Sequence, residues 1–485
     1  MKNIILIIFL FPIIINAQTF KKVFNFNHTI QPTSAIEING GYLIGSRASI
    51  KSPLNTEIVK LNKRGEITNQ IERTKNELES IQELWAINDT AYGALGVFAE
   101  KRNSTIKIIY YQLNSSLQIT IKDTFYFNKN IPYVLYDVLK NTTSDLYIDK
   151  NGNVICVIDL YVKPPYENQM FIVKFNKSGE VLNKNNTIID RHNSAEHNIT
   201  SNKNGGYYLT DFFPFRLYSL DSNLNEIGGF DLFLYMYDKK NGNVSDMQWE
   251  NDTILTMFTG YGTNGFQLGY IRLKIIDNKD EVVGDTLFPY KDPPELVAQN
   301  KSIDKFGNYI FITANTNDGF NNRDTNGIRI MKLNKDYSTK WDKVYDFNAY
   351  HWVKTITATN DGGCLVTSTE ICFTCPRNID NLYVLKVDST GYADGADIED
   401  YIKTMPKNKA LLFPNPGNNE INLQLPGNNK TAIFSLYNIS GKKVLSKQAN
   451  AIQTTITTGQ LPTGLYIYEL RKNGVVLDRG KWVKR

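Results

Sequence analysis

The sequence predicts an all-β protein: a seven-bladed β-propeller, closed through its N-terminal strand, followed by a small immunoglobulin-like β-sandwich. Three observations carry this expectation. A short pattern recurs, apolar–basic–apolar, then Asn or Asp, then a tight polar turn. It reads VKLNKRG at Val59–Gly65, VKFNKSG at Val173–Gly179, MKLNKDY at Met331–Tyr337 and LKVDSTG at Leu385–Gly391, with weaker copies at Tyr111–Leu117, Tyr218–Leu224 and Leu273–Glu281. The Asn/Asp anchors, Asn62, Asn114, Asn176, Asp221, Asp277, Asn334 and Asp388, recur at a mean spacing of about 54 residues, a period suited to propeller blades. Finally, 28 Tyr and 25 Phe in 485 residues, with few runs of helical spacing, favour strands.

In chain order, residues 1–17 read as a secretory signal peptide: Lys2 is the positive end, Ile4 to Ile15 the apolar stretch, and Asn16-Ala17 the small-residue exit. The apolar run is too short to span a bilayer, and no other run approaches that length. The propeller is expected over 18–392. Each anchor is preceded by a second turn, usually rich in Asn and Gly, such as Asn39-Gly40-Gly41, Asn151-Gly152-Asn153 or Asp361-Gly362-Gly363. Asn-Gly and Asp-Gly supply the positive φ angles of two-residue hairpin turns. One repeat therefore reads as four antiparallel strands.

The last copy stops after its third strand, where ADGADIEDYIKTM follows, acidic and with some helical character. The missing strand has a candidate at the other end of the chain: KVFNFN at Lys22–Asn27 matches KVYDFN at Lys343–Asn348, the fourth strand of the sixth copy. A chain that starts on a fourth strand and ends on a third closes a ring and removes its exposed edges. An eight-bladed ring and an open solenoid accept the same period and stay as alternatives.

Both tight turns of each repeat fall at one end of the blade, and the long irregular segments fall at the other. Ligand recognition is expected on that second face, with Tyr161, Tyr166, Phe320, Arg323, Tyr350 and Trp352 as candidate contacts. Residues 393–410 read as a linker that holds the cleavage region. From Leu411 a different module begins, with short strands about ten residues apart and turns at Pro426-Gly427, Ser440-Gly441, Pro462-Thr463-Gly464 and Asn473-Gly474.

Three motifs in that module carry a resemblance: Pro414-Asn415-Pro416, SLYNISGKKV at Ser435–Val444 and LPTGLYIYEL at Leu461–Leu470. The terminal KWVKR, Lys481–Arg485, fits as well. Over about 75 residues the module resembles the type A C-terminal sorting domain of the type IX secretion system of Bacteroidota, departing at Asn438, where that family often has Asp. The resemblance implies inner-membrane export by the signal peptide, recognition by the translocon and sorting machinery, removal of the domain by a cut in 393–410, and surface attachment or release of the cargo. It assigns the sorting motif to Pro414, Asn415, Pro416, Gly441, Leu461, Pro462, Gly464, Tyr466, Lys481 and Lys484. The body also looks like the repeat propellers that accompany this domain.

Little else in the chain points to chemistry. Four cysteines exclude a disulfide framework; Cys372 and Cys375 read as a loop-stapling disulfide with Cys364 as competing partner, and Cys156 as a free core thiol. The histidines, His28, His192, His197 and His351, match no metal motif. No phosphate-cradling loop or serine nucleophile elbow is present. Net charge is +5, but 411–485 hold ten Lys/Arg against three Asp/Glu, so the body is slightly acidic and nucleic acid is not an expected partner. The expectation is a binding or adhesion scaffold without cofactor or metal, taking a glycan or protein ligand. Two other readings stay open: a structural part of the cell surface, and a polysaccharide hydrolase or lyase whose carboxylates converge in the propeller funnel.

Overall fold

Turn chemistry builds the repeat. The computed structural model describes residues 18–485 except 27–28, 48–53, 75–77, 101–104, 128–142, 161–168, 177, 186–197, 203, 211–215, 232–242, 262–266, 277–278, 289–294, 305–306, 317–325, 372–379, 397, 401–409, 414–415, 426–430, 451–452 and 473. At the first anchor the Asn62 N–H donates to the Glu66 carbonyl (2.9 Å), and the Asn62 carbonyl accepts from Gly65 N–H (3.0 Å). Asn62 Oδ1 accepts from the Arg64 and Glu66 N–H groups at 2.9 and 3.0 Å. Asn114, Asn176, Asp221 and Asp388 repeat this double acceptance. A side-chain oxygen that takes two backbone donors is the reason only Asn or Asp recurs there.

The fourth turn residue is left-handed: Gly65 (φ 73°), Gly179 (82°) and Gly391 (77°), but also Leu117 (60°), Leu224 (69°) and Tyr337 (64°). Those three bulky residues are buried, so packing offsets the strain. The second set of turns corrects one expectation. Asn39-Gly40 is a two-residue turn, closed by the Ile38–Gly41 pair. At Asp149, Asn202 and Thr359, by contrast, the N–H of the first residue donates to the carbonyl four residues on, giving three-residue loops with a bulge. Asx acceptance by Asp149 and Asn202 favours that longer loop.

The strands form antiparallel four-stranded meanders. After β1 (Phe20–Phe24), the first comprises β2 to β5 (Gln31–Ile38, Gly41–Arg47, Leu54–Asn62, Ile67–Thr74), the second β6 to β9 (Leu78–Asn88, Ala91–Glu100, Thr105–Asn114, Ile119–Phe127) and the third β10 to β13 (Thr143–Ile148, Val154–Leu160, Gln169–Phe175, Val181–Asn185). The fourth comprises β14 to β17 (Ile199–Ser201, Tyr207–Thr210, Arg216–Leu220, Glu226–Asp231) and the fifth β18 to β21 (Asn243–Trp249, Ile254–Tyr261, Gln267–Ile276, Lys279–Leu287). Strands β22 to β24 (Glu295–Ile303, Tyr309–Thr316, Asn326–Asn334) lead into β25, a 20-residue strand at Thr339–Ala358. Its first half pairs with β24 and its second half with β26 (Cys364–Ile371). Strand β27 (Asn381–Val387) follows, and β1 pairs with it from Phe20↔Lys386 to Phe24↔Leu382. The N-terminal segment therefore supplies the fourth strand of the last meander.

Apolar clusters join each meander to the next. Leu43 and Ile58 pack with Ile81, Tyr92 and Leu113; Trp85 and Tyr110 with Val154, Cys156 and Phe175; Ile155 and Ile172 with Leu209 and Leu224. The series continues through Leu217 with Leu255 and Met257, Phe258 with Ile310 and Leu333, and Phe311 with Val366 and Leu385. A further cluster joins Leu365, Leu382 and Val384 to Phe20, Tyr42, Ile44 and Leu61, the last meander to the first. First strands are stitched across meanders by hydrogen bonds: Leu84 N–H to Ser34 Oγ (3.1 Å), Trp249 Nε1 to the Ser201 carbonyl (2.7 Å), Ala358 N–H to Ser302 Oγ (2.8 Å), and Thr357 Oγ1 to the Ala35 carbonyl (2.7 Å).

Among the described residues of 393–400 there is no helix, and part of the expected linker is strand. Strand β28 (Ile398–Asp400) pairs with Lys343–Tyr345 of β25, because that edge of the sheet is otherwise open, and the Asp394 N–H donates to Thr19 Oγ1 at 3.1 Å.

The chain divides into two compact units, 1–401 and 402–485. The second holds a three-stranded sheet of β29 (Leu411–Phe413), β30 (Glu420–Gln424) and β33 (Gln453–Thr457). It also holds a four-stranded sheet of β31 (Ala432–Tyr437), β32 (Lys443–Ala449), β34 (Gly464–Lys472) and β35 (Val475–Lys484). Leu412, Ile421 and Ile456 of the first sheet share one core with Phe434, Leu436, Tyr466, Leu470 and Trp482 of the second. Among the described residues of both units there is no helix.

Candidate functional site

The first strand of each meander carries a repeated irregularity. Register shifts interrupt β2 at Pro32/Ser34, β6 at Ile81/Glu83, β18 at Val244/Asp246, β22 at Val297/Lys301 and the second half of β25 at Val353/Thr355. A bulge re-aims the residue that follows it, and such bulges recur next to functional sites. Here they present Glu83 and Asp246, both half-buried, on the first strands of the second and fifth meanders, while Asp145 sits on the first strand of the third.

Asp145 shows that these carboxylates share one electrostatic environment. Burial pushes its carboxyl well above the usual carboxylate range, and the charges of Asp246 and Glu83 push the same way. The N–H groups of Ile199 and Leu146 oppose this, the former donating to Asp145 Oδ2 at 2.7 Å. Glu83 is touched by Ser34, whose hydroxyl donates to Glu83 Oε2 at 3.3 Å. A carboxyl whose pKa is raised by burial and by neighbouring carboxylates is the arrangement of a general acid, and equally of a tie between two strands. None of these residues stood out in the sequence, because one comes from each of three repeats. One signal was present: Glu83, Asp145 and Asp246 each lie 31 residues before their own anchors, Asn114, Asn176 and Asp277.

A second group gathers where β25 passes between meanders. Trp352 is 52% exposed, with Lys354 Nζ 3.8 Å from its ring centroid. Tyr350 is half-buried, and it pairs with Ile371 at the end of β26 that leads into the long segment 372–379. Between them His351 points inward. Its carbonyl accepts from Asn315 Nδ2 (2.7 Å) and Asn326 Nδ2 (2.8 Å), and its N–H donates to Asn326 Oδ1 (2.6 Å). Neither buried ring nitrogen meets a hydrogen-bond partner of good geometry among the described residues, and burial, opposed by neighbouring Asp346, lowers the imidazole pKa to about 4. The ring meets Tyr383 edge-on at 4.5 Å; the Tyr383 hydroxyl donates to Asp346, which also takes Lys21 Nζ at 2.7 Å. His351 is thus a packed core group and not a surface one.

The other expected ligand contacts, Tyr161, Tyr166, Phe320 and Arg323, lie outside the described residues, as do Cys372 and Cys375 and the signal segment. Cys364 and Cys156 are free buried thiols whose pKa values burial raises. No group of three or more metal-ligating side chains occurs among the described residues. No helix there is long and apolar enough to cross a membrane.

In the C-terminal unit the motif residues split by role. Pro414 and Asn415 are outside the described residues, and Pro416 is exposed. Gly441 takes φ 78° in the turn capped by Asn438, whose Oδ1 accepts from the Lys442 N–H. Leu461 and Tyr466 belong to the core, and the Tyr466 hydroxyl donates to the Pro462 carbonyl at 2.6 Å. Gly464 opens β34 at φ 158°, and Lys481 is exposed. Lys484 is buried, its ammonium donating to the carbonyls of Asn418 and Thr458 at 2.8 Å each. It ties the C-terminus to the start of the domain.

Residues 411–484 match the family model of the secretion system C-terminal sorting domain. No curated protein matches the chain in sequence. Among solved structures, the chain is similar to an ulvan lyase of a new polysaccharide lyase family (8% identity, TM-score 0.44, 79% of this chain and 98% of that one). It is also similar to a protein of unknown function from Bacteroides caccae (14% identity, TM-score 0.38, 62% and 92%). A third is a puromycin-hydrolyzing peptidase of Mycobacterium tuberculosis (9% identity, TM-score 0.39, 84% and 58%). Similarity at that level identifies neither an activity nor a ligand for this chain.

Proposed function

We propose that the protein is exported by the type IX secretion system and acts at the cell surface, or after release, as a non-enzymatic binding scaffold built on a seven-bladed β-propeller. The match over 411–484 supports the export route. The unbroken series of inter-meander clusters, ending with Leu382 and Val384 against Phe20 and Tyr42, supports the ring. Binding rests on one observation: an exposed tryptophan, Trp352, with a lysine over its ring, where β25 passes from one meander to the next beside the Ile371 end of β26. An exposed indole beside a cation suits stacking on a sugar ring or a peptide side chain. Arraying the exported protein and its Trp352→Ala variant against glycans and surface proteins tests this; a ligand bound equally by both variants removes Trp352 from the site. Deleting 411–485 leaves the protein in the periplasm if the sorting assignment holds.

The second reading is a polysaccharide hydrolase or lyase, favoured by the raised carboxyl of Asp145 beside Glu83 and Asp246. Turnover of an acidic or neutral polysaccharide that Glu83→Gln and Asp145→Asn each abolish would establish it.

A further inference from the structure

At the tight-turn end of the first unit a cavity of about 470 Å³ opens between β1, the Asn62–Glu66 turn and the 394–395 turn. Its lining is Gln18, Thr19, Phe20, Lys21, Lys22, Arg64, Asp394 and Gly395: three cations against one carboxylate. Its volume falls in the range of small-molecule sites.

The cations are not equivalent. Lys21 is committed to the buried Asp346 at 2.7 Å. Lys22, half-buried, and Arg64, exposed, have no carboxylate partner among the described residues. Neighbouring basic groups on the same turn are taken up elsewhere, since Lys63 pairs with Glu37 and lies 5.0 Å from the Tyr42 ring centroid. The walls are held in place. Thr19 accepts from the Asp394 N–H, and the buried Phe20 ring lies against Gly65, where an added Cβ would come within 2.6 Å of it. The result is a concave site over the packed Phe20 ring, with two uncommitted cations at its rim.

We propose that this cavity binds an anionic saccharide, a sugar bearing a phosphate or sulfate monoester, with Lys22 and Arg64 on the ester oxygens and the sugar hydroxyls toward Asp394 and Gln18. A guanidinium gives the ester two parallel N–H donors, and the lysine adds a point charge. The site is at the opposite end of the meanders from Trp352, so it stands or falls independently of the ligand proposed there.

The test is calorimetric titration of the full chain with glucose 6-phosphate, glucose 6-sulfate, glucose and inorganic phosphate. Both esters should bind at millimolar concentration or better, glucose should not, and inorganic phosphate should bind more weakly than either ester. Lys22→Gln/Arg64→Gln should cost on the order of tenfold or more in affinity with the melting temperature unchanged. Should that double variant fail to fold, Arg64→Gln alone serves, since Arg64 is exposed. Lys122→Gln/Lys184→Gln, on other meanders, should bind as the parent does. Failure of both esters to bind, equal binding of inorganic phosphate, or affinity indifferent to Arg64 would each overturn the proposal.

Discussion

At the scale of single residues, buried His351 and half-buried Asp145 predict how the protein responds to pH. His351 is neutral in the fold, its pKa lowered to about 4 from 6.5, so only the unfolded chain takes up a proton between those values. Stability is therefore full above pH 6.5, falls as pH drops from there and levels off below pH 4, a loss of about 3 kcal/mol. His351→Phe should remove most of that loss, read as a smaller acid shift of the urea midpoint, while leaving the midpoint at pH 8 close to the parent's. Asp145 carries the opposite sign. Its carboxyl is raised, so the fold favours the protonated form, and stability is lost as pH rises above the ordinary carboxylate range. Asp145→Asn keeps an oxygen for the Ile199 N–H and removes the repulsion from Asp246 and Glu83. It should raise the melting temperature at pH 7 and do little at pH 4. A variant that gained stability while losing a binding or catalytic activity would identify a functional carboxylate held at a cost in stability.

At the scale of the element, the hairpin turn is where the sequence was most legible. Asn and Asp recur because one side-chain oxygen holds two backbone donors, a requirement local enough to be read from spacing alone. The pairing of the N-terminal strand with β27 was legible for the same reason, because Lys22–Phe24 of KVFNFN lie in that strand and a strand and its copy share a pattern. The carboxylates were not: their shared environment depends on how the second, third and fifth meanders are placed, and for Glu83 and Asp246 on bulges whose only trace is a register shift. Nor was the burial of Lys484, since a terminal lysine reads as solvated until its two carbonyl partners fold around it. The turns also rank their own glycines. Gly205 (φ 81°) has open space where a Cβ would sit, so Gly205→Ala costs only the left-handed backbone, about 1 kcal/mol. At Gly65 (φ 73°) a Cβ would press into the Phe20 ring, so Gly65→Ala should cost about twice as much or more by chemical denaturation.

For the whole molecule, the question is what holds the first and last meanders together. Three kinds of tie hold the N-terminal strand in the last meander: the β1–β27 ladder, the apolar cluster of Phe20, Tyr42, Leu382 and Val384, and the Lys21–Asp346 pair with Tyr383 beneath it; the cluster, like the Thr357–Ala35 hydrogen bond, also reaches the first meander. Only the second and third involve side chains, yet all three depend on residues 18–26. Their deletion strips the last meander of its fourth strand, exposes the edge of β27, and leaves Asp346 with no lysine. The lysine of that pair is partly exposed, so the larger losses are the β1–β27 ladder and the apolar burial of Phe20. The shortened chain should therefore melt in two transitions, the meanders nearest the seam first, and should associate through the bared edge at high concentration. The converse variant strengthens the seam. Lys22 lies opposite Val384 in the ladder, so Lys22→Cys with Val384→Cys brings two sulfurs across β1 and β27. Oxidation should restore one cooperative transition and raise its midpoint; reduction should return the parent value. A midpoint unmoved by oxidation, with the bond shown by mass spectrometry, would mean that the seam is not where unfolding begins.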